Sequence, residues 1–460
     1  VTRYDVAGPR YTSYPSVVHW QSPLDGEGYR RVLRSAGGED DPIALYVHLP
    51  FCASRCAYCG CNATVTHHTE VVNGYLDRLE HELAVVGGEL GEGRRVRQLH
   101  WGGGTPNFLS EPQLVRAFAM LATRFAFDEG AELSIEADPR LVSRGQLRWL
   151  RALGFTRLSY GVQDLDPDVQ DAIGRVQSEA LVRDACELAR EEGFTELNVD
   201  LIYGLPRQSA TSFRRTLESV VALAPDRLAC FGYAHVPWQR PHQKRIDVGT
   251  LPGTHARLDL LQLAVERLTD AGYEWIGLDH FARPDDPLAV AARERRLHRN
   301  FMGYTLMPAQ HLVGVGVSAI GDVGGWYVQN TPKLGEWQRT LDAGALPVAR
   351  AHRLTDDDRA RREAIHHLMC NLELPYALLP EGGIEIAARF AAFEADGLVE
   401  PRENRWVVTP LGRLFLRNLA MPLDAYLGRT APGAAPPPDD ADDDEPVLVP
   451  PPRPRFSATL

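Results

Sequence analysis

The sequence predicts an α/β fold, a partial (β/α) barrel followed by a mostly helical C-terminal domain. Three observations predict it. Short apolar runs alternate with amphipathic helical stretches from residue 43 to about 240, the pattern of parallel βαβ units. Residues of unusual chemistry sit at the ends of those runs, where such barrels carry their sites. Beyond residue 355 the alternation gives way to helix, hairpin and helix.

The strands are expected at "IALYVHLP" (43–50), "VRQLHWGGG" (96–104), "AELSIEADP" (131–139), "TRLSYGVQD" (156–164), "LNVDLIYGLP" (197–206) and "RLACFGYAHVP" (227–237). Helices over 72–86, 110–124, 143–153, 178–192 and 209–223 separate them. One mouth then collects the cysteines after residue 50, Gly102 to Thr105, Glu136, Gln163, Asp200 and His235. In the C-terminal part, "LTDDDRARREAIHHLMCNLEL" reads as a helix with Thr355 as its N-cap and acids in the first turn. "FEADGLVEPRENRWVVTPLGRLFLRNL" reads as helix, hairpin and helix, with a winged-helix flavour.

Composition narrows the function classes. With 460 residues and 44% hydrophobic content the chain can bury a large core. The formal charge is −12, and the tail from Arg429 holds three basic and six acidic groups, leaving the body near −9. That sign repels phosphate backbones, so no nucleic-acid partner is expected. No run of about 18 apolar residues occurs, so no membrane span is expected. Seven cysteines in so long a chain do not form a disulfide framework. The expectation is a cytoplasmic monomer.

"CASRCAYCGCN" (52–62) holds four of those cysteines. Cys52, Cys56 and Cys59 have the spacing C-x3-C-x2-C, and Cys61 follows. Zinc sites come as separated pairs, and no second pair is evident. His67 and His68 are adjacent and poorly placed to aim at one ion. A C-x2-C redox motif would leave Cys52 and Cys61 unexplained. Three thiolates in one tight loop suit an iron–sulfur cubane, with one iron left open to a small molecule.

That spacing after a first strand is the signature of radical SAM enzymes, in which the open iron takes the amino and carboxylate groups of S-adenosylmethionine (SAM). The match narrows further. "YVHLPFC...C..CGC", "LHWGGGTP", "SIEADPR", "GVQD", "DLIYGLP", "YAHVP", "DHFARPDD" and "GVGVSAIG" resemble the oxygen-independent coproporphyrinogen III oxidase (coproporphyrinogen dehydrogenase) family of haem and porphyrin biosynthesis. The resemblance runs from "RYTSYP" to about residue 428, and "RFSATL" resembles that family's ending. Cys61 favours the oxidase over a similar radical SAM haem chaperone, which has an aromatic residue there.

The resemblance implies a partial barrel of radical SAM type and a [4Fe-4S] cluster on Cys52, Cys56 and Cys59, with Cys61 outside the ligand set. It implies two SAM molecules. Tyr46, Gly103, Glu136 and Ile320 would contact the cluster-bound one. Tyr58, Gly104, Thr105, Gln163, Arg175, Asp200 and Ala234 would contact the second. The types fit, since a sulfonium and an ammonium favour carboxylates and a SAM carboxylate favours a guanidinium. The substrate would be coproporphyrinogen III, two of whose four propionates become vinyl groups to give protoporphyrinogen IX. Electrons would come from a donor such as flavodoxin or ferredoxin. His280, Arg283, His298, Arg299 and Tyr304 are candidate propionate partners. No catalytic acid or base is assigned. The competing readings are the haem chaperone and a related haem-modifying or methyl-transferring enzyme.

The expected domains are 1–40, an N-terminal lid with "RYTSYP" over the mouth; 41–350, the barrel with a substrate-binding extension; 351–428, the mostly helical domain; and 429–460, an acidic, proline-rich, disordered tail.

Overall fold

The computed structural model describes residues 3–38 and 40–427, so the expectation for the tail lies outside the described residues. After helix α1 (Gly26–Gly37) the chain alternates as β1 (Ile43–Leu49), α2 (Thr69–Leu90), β2 (Arg94–Gly103), α3 (Glu111–Ala122), β3 (Phe125–Ala137), α4 (Arg144–Ala152) and β4 (Arg157–Gln163). It continues with α5 (Pro167–Ile173), α6 (Glu179–Glu191), β5 (Glu196–Tyr203), α7 (Ala210–Ala222) and β6 (Arg227–Gly232). Serine side chains set the starts of several helices. Ser143, Ser178 and Ser209 accept the backbone N–H of Gln146, Leu181 and Ser212, satisfying donors that a first turn leaves open.

Next come α8 (Thr254–Asp270), β7 (Glu274–Gly277), β8 (His280–Ala282), α9 (Pro287–Arg293), β9 (His298–Asn300), β10 (Gly303–Thr305), β11 (Leu312–Val315), β12 (Ile320–Val323), β13 (Trp326–Asn330), α10 (Leu334–Asp342) and β14 (Val348–Arg353). One sheet holds twelve strands in the order β14-β13-β12-β11-β1-β2-β3-β4-β5-β6-β8-β7. The seven from β11 through β6 run parallel. Antiparallel strands extend both ends. Among the described residues β7 and β14 do not pair, so the barrel is partial.

Strand alternation places the site. In β4, Leu158, Tyr160 and Val162 are buried in the core, as are Leu197, Val199 and Leu201 in β5. The intervening Ser159, Gly161, Gln163, Asn198, Asp200 and Ile202 line the barrel cavity. Period-two patterning therefore divides each strand between core and chemistry.

The C-terminal part contains α11 (Asp356–Asn371), β15 (Glu373–Pro375), α12 (Gly383–Ala395), β16 (Val399–Arg402), β17 (Arg405–Val408), α13 (Pro410–Leu414) and α14 (Leu416–Ala420). Its strands form a separate small sheet, β15-β17-β16. Thr355 caps α11, accepting the Asp358 N–H in a reciprocal capping box.

The boundary expected at residue 40 needs correction. Tyr29, Leu33 and Ala36 of α1 belong to the barrel's core, so α1 is part of the body. Ahead of it, Tyr11 and Tyr14 are buried in the core of the C-terminal domain with Phe390 and Leu419. This leading segment is a strap anchored by apolar burial.

Candidate active site

The inward faces of β2 to β6 stack polar side chains in layers. At the base, Arg157 pairs with Glu132 and, at 3.2 Å, with Glu196; Arg227 pairs with Glu196 and Asp286, each at 2.9 Å. Gln98 Nε2 donates to Glu132 at 2.8 Å. These charges are paired, as burial requires, and form an ionic floor under a cavity of about 820 Å3. Above it, Asn198 Nδ2 donates to Ser159 Oγ and Asp200 Oδ1, each at 2.7 Å. His100 is 2.8 Å from Ser134 Oγ through Nδ1 and 3.3 Å from Glu136 Oε1 through Nε2.

The two acids above the floor differ in electrostatics. Burial opposes the charge of Glu136, but the His100 contact and the Gly103 N–H, donating at 3.2 Å, outweigh it and hold the carboxyl below its usual range. Asp200 is pushed up to about 6 by burial and by the charge of Glu136, despite bonds from Asn198 and Ser159. One carboxylate is thus firmly anionic and the other is poised.

The cluster loop crosses the top. Cys52, Cys56, Cys59 and Cys61 all line the cavity, and all are free thiols. The glycine loop after β2 is clamped to the chain before Cys52, with Gly104 N donating to Leu49 O at 2.9 Å and Thr105 N to Phe51 O at 2.8 Å. Thr105 Oγ1 lies 3.2 Å from Cys52 Sγ. A β-carbon on Gly104 would come within 2.5 Å of the Pro50 carbonyl, so only glycine allows this approach. Outside, His242 bonds Cys59 O at 2.7 Å and Gln243 Nε2 donates to Tyr58 O at 2.8 Å. The loop's shape is therefore held by backbone contacts, leaving the thiols facing the cavity.

Arg175 is buried and bonded through Nη1 to Asp138 Oδ2 at 3.0 Å and through Nη2 to Gly161 O at 2.5 Å. Nη1 lies 3.8 Å from Cys56 Sγ, and Nε is buried without a partner. Gln163 adopts φ +70°, a left-handed conformation costly for a non-glycine and characteristic of functional sites.

Of the residues singled out in the sequence, Tyr58, Gly104, Thr105, Glu136, Gln163, Arg175, Asp200 and Ala234 line this cavity with the cysteines. Tyr46 stacks on His100 with ring centroids 5.9 Å apart, and Gly103 reaches the site through its N–H. Ile320, at the start of β12, is not part of the cavity lining and packs against the Trp20–Tyr327 cluster. Among the substrate candidates, His280 and Tyr304 line the cavity. Arg283 instead lies beside Asp285 at the surface, and His298 and Arg299 line a second, smaller cavity. His235 is absent from the lining and bonds Tyr233 OH at 2.9 Å.

Several residues escaped the sequence reading. His48 Nε2 faces Asn62 O at 2.9 Å, so it carries the proton, and Nδ1 accepts from Tyr46 OH at 3.0 Å. Arg10, Arg55, Arg140 and Arg240 line the cavity. Arg10, Arg55 and Arg140 fall inside motifs the sequence displays, "RYTSYP", "CASRCAYCGCN" and "SIEADPR", without being singled out there; Arg140 bonds Asp138 two residues earlier.

The donor set fits an iron–sulfur cluster: soft thiol ligands in one loop, beside a large cavity walled by carboxylates and a guanidinium. Among the described residues no three His, Cys, Asp or Glu converge on a single ion; in a cubane each cysteine binds a different iron, which needs no such convergence. Fold and site together define a radical SAM enzyme. The Radical SAM superfamily profile matches residues 46–220, and the HemN C-terminal domain profile matches 354–415. The chain is 43% identical over 439 residues to the oxygen-independent coproporphyrinogen III oxidase of Escherichia coli, covering 94% of this chain and 95% of the relative. The same-named protein of Pseudomonas aeruginosa is 42% identical over 437 residues, covering 93% and 95%. The solved coproporphyrinogen III oxidase (HemN) from E. coli, described as a radical SAM enzyme, superposes with a TM-score of 0.86 at 42% identity, covering 91% of this chain and 98% of that one. The chain belongs to the oxygen-independent coproporphyrinogen III oxidase family.

Proposed function

We propose that this protein converts coproporphyrinogen III to protoporphyrinogen IX by oxidative decarboxylation of two propionate side chains. The observation that carries the reading is the joining, in one 820 Å3 cavity, of three cysteine thiols, the glycine-loop Thr105 and the carboxylates of Glu136 and Asp200. The family match over nearly the whole chain supports the substrate. When bound, the cluster and SAM would supply the radical chemistry for abstracting a hydrogen from the propionate side chain, and loss of carbon dioxide and of one electron to an acceptor would complete each vinyl group.

The chain's own residues bind, orient and shield. Cys52, Cys56 and Cys59 hold the cluster, and Cys61 stays outside the ligand set. Glu136, fixed by His100 and the Gly103 N–H, would meet the cationic part of the cluster-bound SAM, with Tyr46, Gly103 and Ile320 as further contacts. Tyr58, Gly104, Thr105, Gln163, Arg175, Asp200 and Ala234 receive the second SAM. The partnerless Nε of Arg175 is suited to a SAM carboxylate. Asp279 holds His280 through Nδ1 at 2.8 Å, which leaves Nε2 for the substrate. Arg10 lies at the cavity through the strap and helps keep water from the radical. Among the described residues no helix is long and apolar enough to cross a membrane. The family resemblance implies a cytoplasmic enzyme reduced by a donor such as flavodoxin or ferredoxin.

The test is anaerobic turnover of the reconstituted protein with coproporphyrinogen III, SAM and a reductant, followed by mass spectrometry. Loss of two carbon dioxide units with formation of 5'-deoxyadenosine supports the reading. SAM cleavage with an untouched porphyrinogen overturns the substrate assignment.

A further inference from the structure

A second cavity of about 130 Å3 lies beside the barrel cavity, and Asn300 and Thr305 line both. Its walls come from the strap (Tyr11 to Tyr14), the β9–β10 region (His298 to Phe301), α11 (Arg362, His366) and the edge of the main sheet, including Asp322 and Tyr327. Such a space admits a short flexible chain and excludes a pyrrole ring.

Its polar groups are unusual in what they lack. Arg299 is half-buried; Nη1 donates to Arg10 O at 3.0 Å and Tyr11 O at 2.6 Å, and Nε is buried without a partner. It forms no ion pair among the described residues, and its guanidinium lies over the Tyr304 ring at 5.6 Å. The nearby charges are already engaged. Asp322 is held by Arg362 at 2.6 Å, and Asp279 by His280 at 2.8 Å and Arg10 at 3.5 Å. His298 makes no side-chain hydrogen bond among the described residues, and its ring centre lies 5.3 Å from that of His366. His366 Nε2 accepts the Arg299 backbone N–H at 3.2 Å, so its proton resides on Nδ1. Burial first, then the neighbouring His298 and Arg362, push His366 down to about 4, and burial lowers His298. Both rings are neutral near pH 7 and offer one N–H each.

An unpaired guanidinium with a free N–H, beside two neutral imidazoles, recognises a carboxylate. We propose that this cavity is a carboxylate subsite that seats one propionate arm of the tetrapyrrole, reached past Asn300 and Thr305 from the barrel cavity. The assignment rests on the proposed function, and it adds a device for holding the macrocycle in one orientation. An arm seated there is kept away from the thiols. The propionates to be decarboxylated are then those on the opposite side of the ring.

The test compares anaerobic kinetics of the wild-type holoenzyme and Arg299→Gln, which keeps a donor for the strap carbonyls. A charge-assisted hydrogen bond of ordinary strength predicts a roughly 10- to 100-fold rise in KM for coproporphyrinogen III, with little change in KM for SAM. A wild-type enzyme that does not turn over coproporphyrinogen III removes the functional reading and the propionate with it. Normal turnover with an unchanged KM in the variant overturns the subsite alone. Because Arg299→Gln also touches the strap, a wild-type crystal soaked with the unreactive coproporphyrin III gives a second readout. A carboxylate about 3 Å from the Arg299 guanidinium supports the subsite. All four carboxylates placed elsewhere overturn it.

Discussion

The His48 imidazole packs directly against the Cα of Gly103, so a β-carbon at that glycine would come within 2.6 Å of the ring. Gly103 also has φ +116°, a conformation that L side chains rarely adopt. This contact aims the Gly103 N–H at Glu136 and ties the glycine loop to the Tyr46–His48 hydrogen bond. Gly103→Ala therefore strains the backbone and displaces the ring. We expect a loss of about 1–3 kcal/mol in unfolding free energy and at least a tenfold fall in SAM-dependent 5'-deoxyadenosine formation. Denaturant titration and product assay measure the two, and unchanged values in both would refute the constraint.

The four cysteines of the loop are expected to separate by function. Cys52→Ser, Cys56→Ser and Cys59→Ser should each lose the cluster, because a hard hydroxyl replaces a soft thiolate. Cys61 is exposed, and Cys61→Ser should retain about four irons per chain with the cluster absorbance intact. Iron analysis after anaerobic reconstitution decides the matter. Cluster loss in Cys61→Ser would place that thiol in the ligand set.

The pattern of these contacts explains what was legible in sequence. The βα units were, because the alternation of short apolar runs with amphipathic helical stretches recurs along the chain as a local signal. The site residues at strand ends followed from that periodicity together with the family motifs. His48 was not legible, since its role depends on a glycine 55 positions away that only the fold brings into contact. Strands β7 to β14 hold three to six residues each and pair antiparallel outside the βα rhythm, with β11 alone joining β1 in parallel. Arg299, expected as a propionate partner, lines a side cavity and Ile320 packs against the Trp20 cluster, placements that no local pattern announces. Tyr11 and Tyr14 lie in a polar-looking stretch, and their burial depends on a domain more than 340 residues further along.

Asp200 should impose a pH dependence on SAM binding. Its carboxyl is pushed up to about 6, so it protonates as pH falls through that value, while Glu136 stays ionised to lower pH. SAM is cationic at its sulfonium, and its affinity should drop as pH is lowered from about 7 to 5. Asp200→Asn should bind more weakly at pH 7.5 and show a flatter profile. Equilibrium dialysis across that range tests it, and an identical slope in the variant would assign the titration elsewhere.

Glu82 sits in the core beneath the loop before β12. Its carboxylate accepts Gly316 N at 2.9 Å, Asn330 Nδ2 at 2.6 Å and Trp337 Nε1 at 3.1 Å. Burial nonetheless raises it to about 7, against a usual value of 4.5. The folded state therefore holds this proton longer than the unfolded chain. Glu82's contribution to stability is most favourable below about 4.5 and declines as pH rises to about 7, by roughly 3 kcal/mol. Glu82→Gln should remove that slope, while its amide N–H2 meets the Asn330 donor and costs about 1–3 kcal/mol at low pH. Unfolding free energies at pH 5, 6 and 8 for both proteins test this, and parallel pH profiles would exclude Glu82 as the source.

The strap couples the two domains through Tyr14, which is 1% exposed. Its hydroxyl accepts the Ala425 N–H at 3.0 Å, and its ring packs edge-on against Tyr426 at 5.9 Å. Three residues earlier Tyr11 OH donates to Asp424 at 3.2 Å, and one before that Arg10 Nη2 donates to Gly232 O at the end of β6. Removing the Tyr14 ring leaves a buried void and frees the Ala425 N–H, so Tyr14→Ala should cost about 3–5 kcal/mol. Because the lost contacts join the strap to the C-terminal domain, amide exchange over residues 10–15 should rise more than exchange in β1 to β6. A uniform rise across the barrel would mean that Tyr14 supports the whole fold equally, and the strap would then be no separate device.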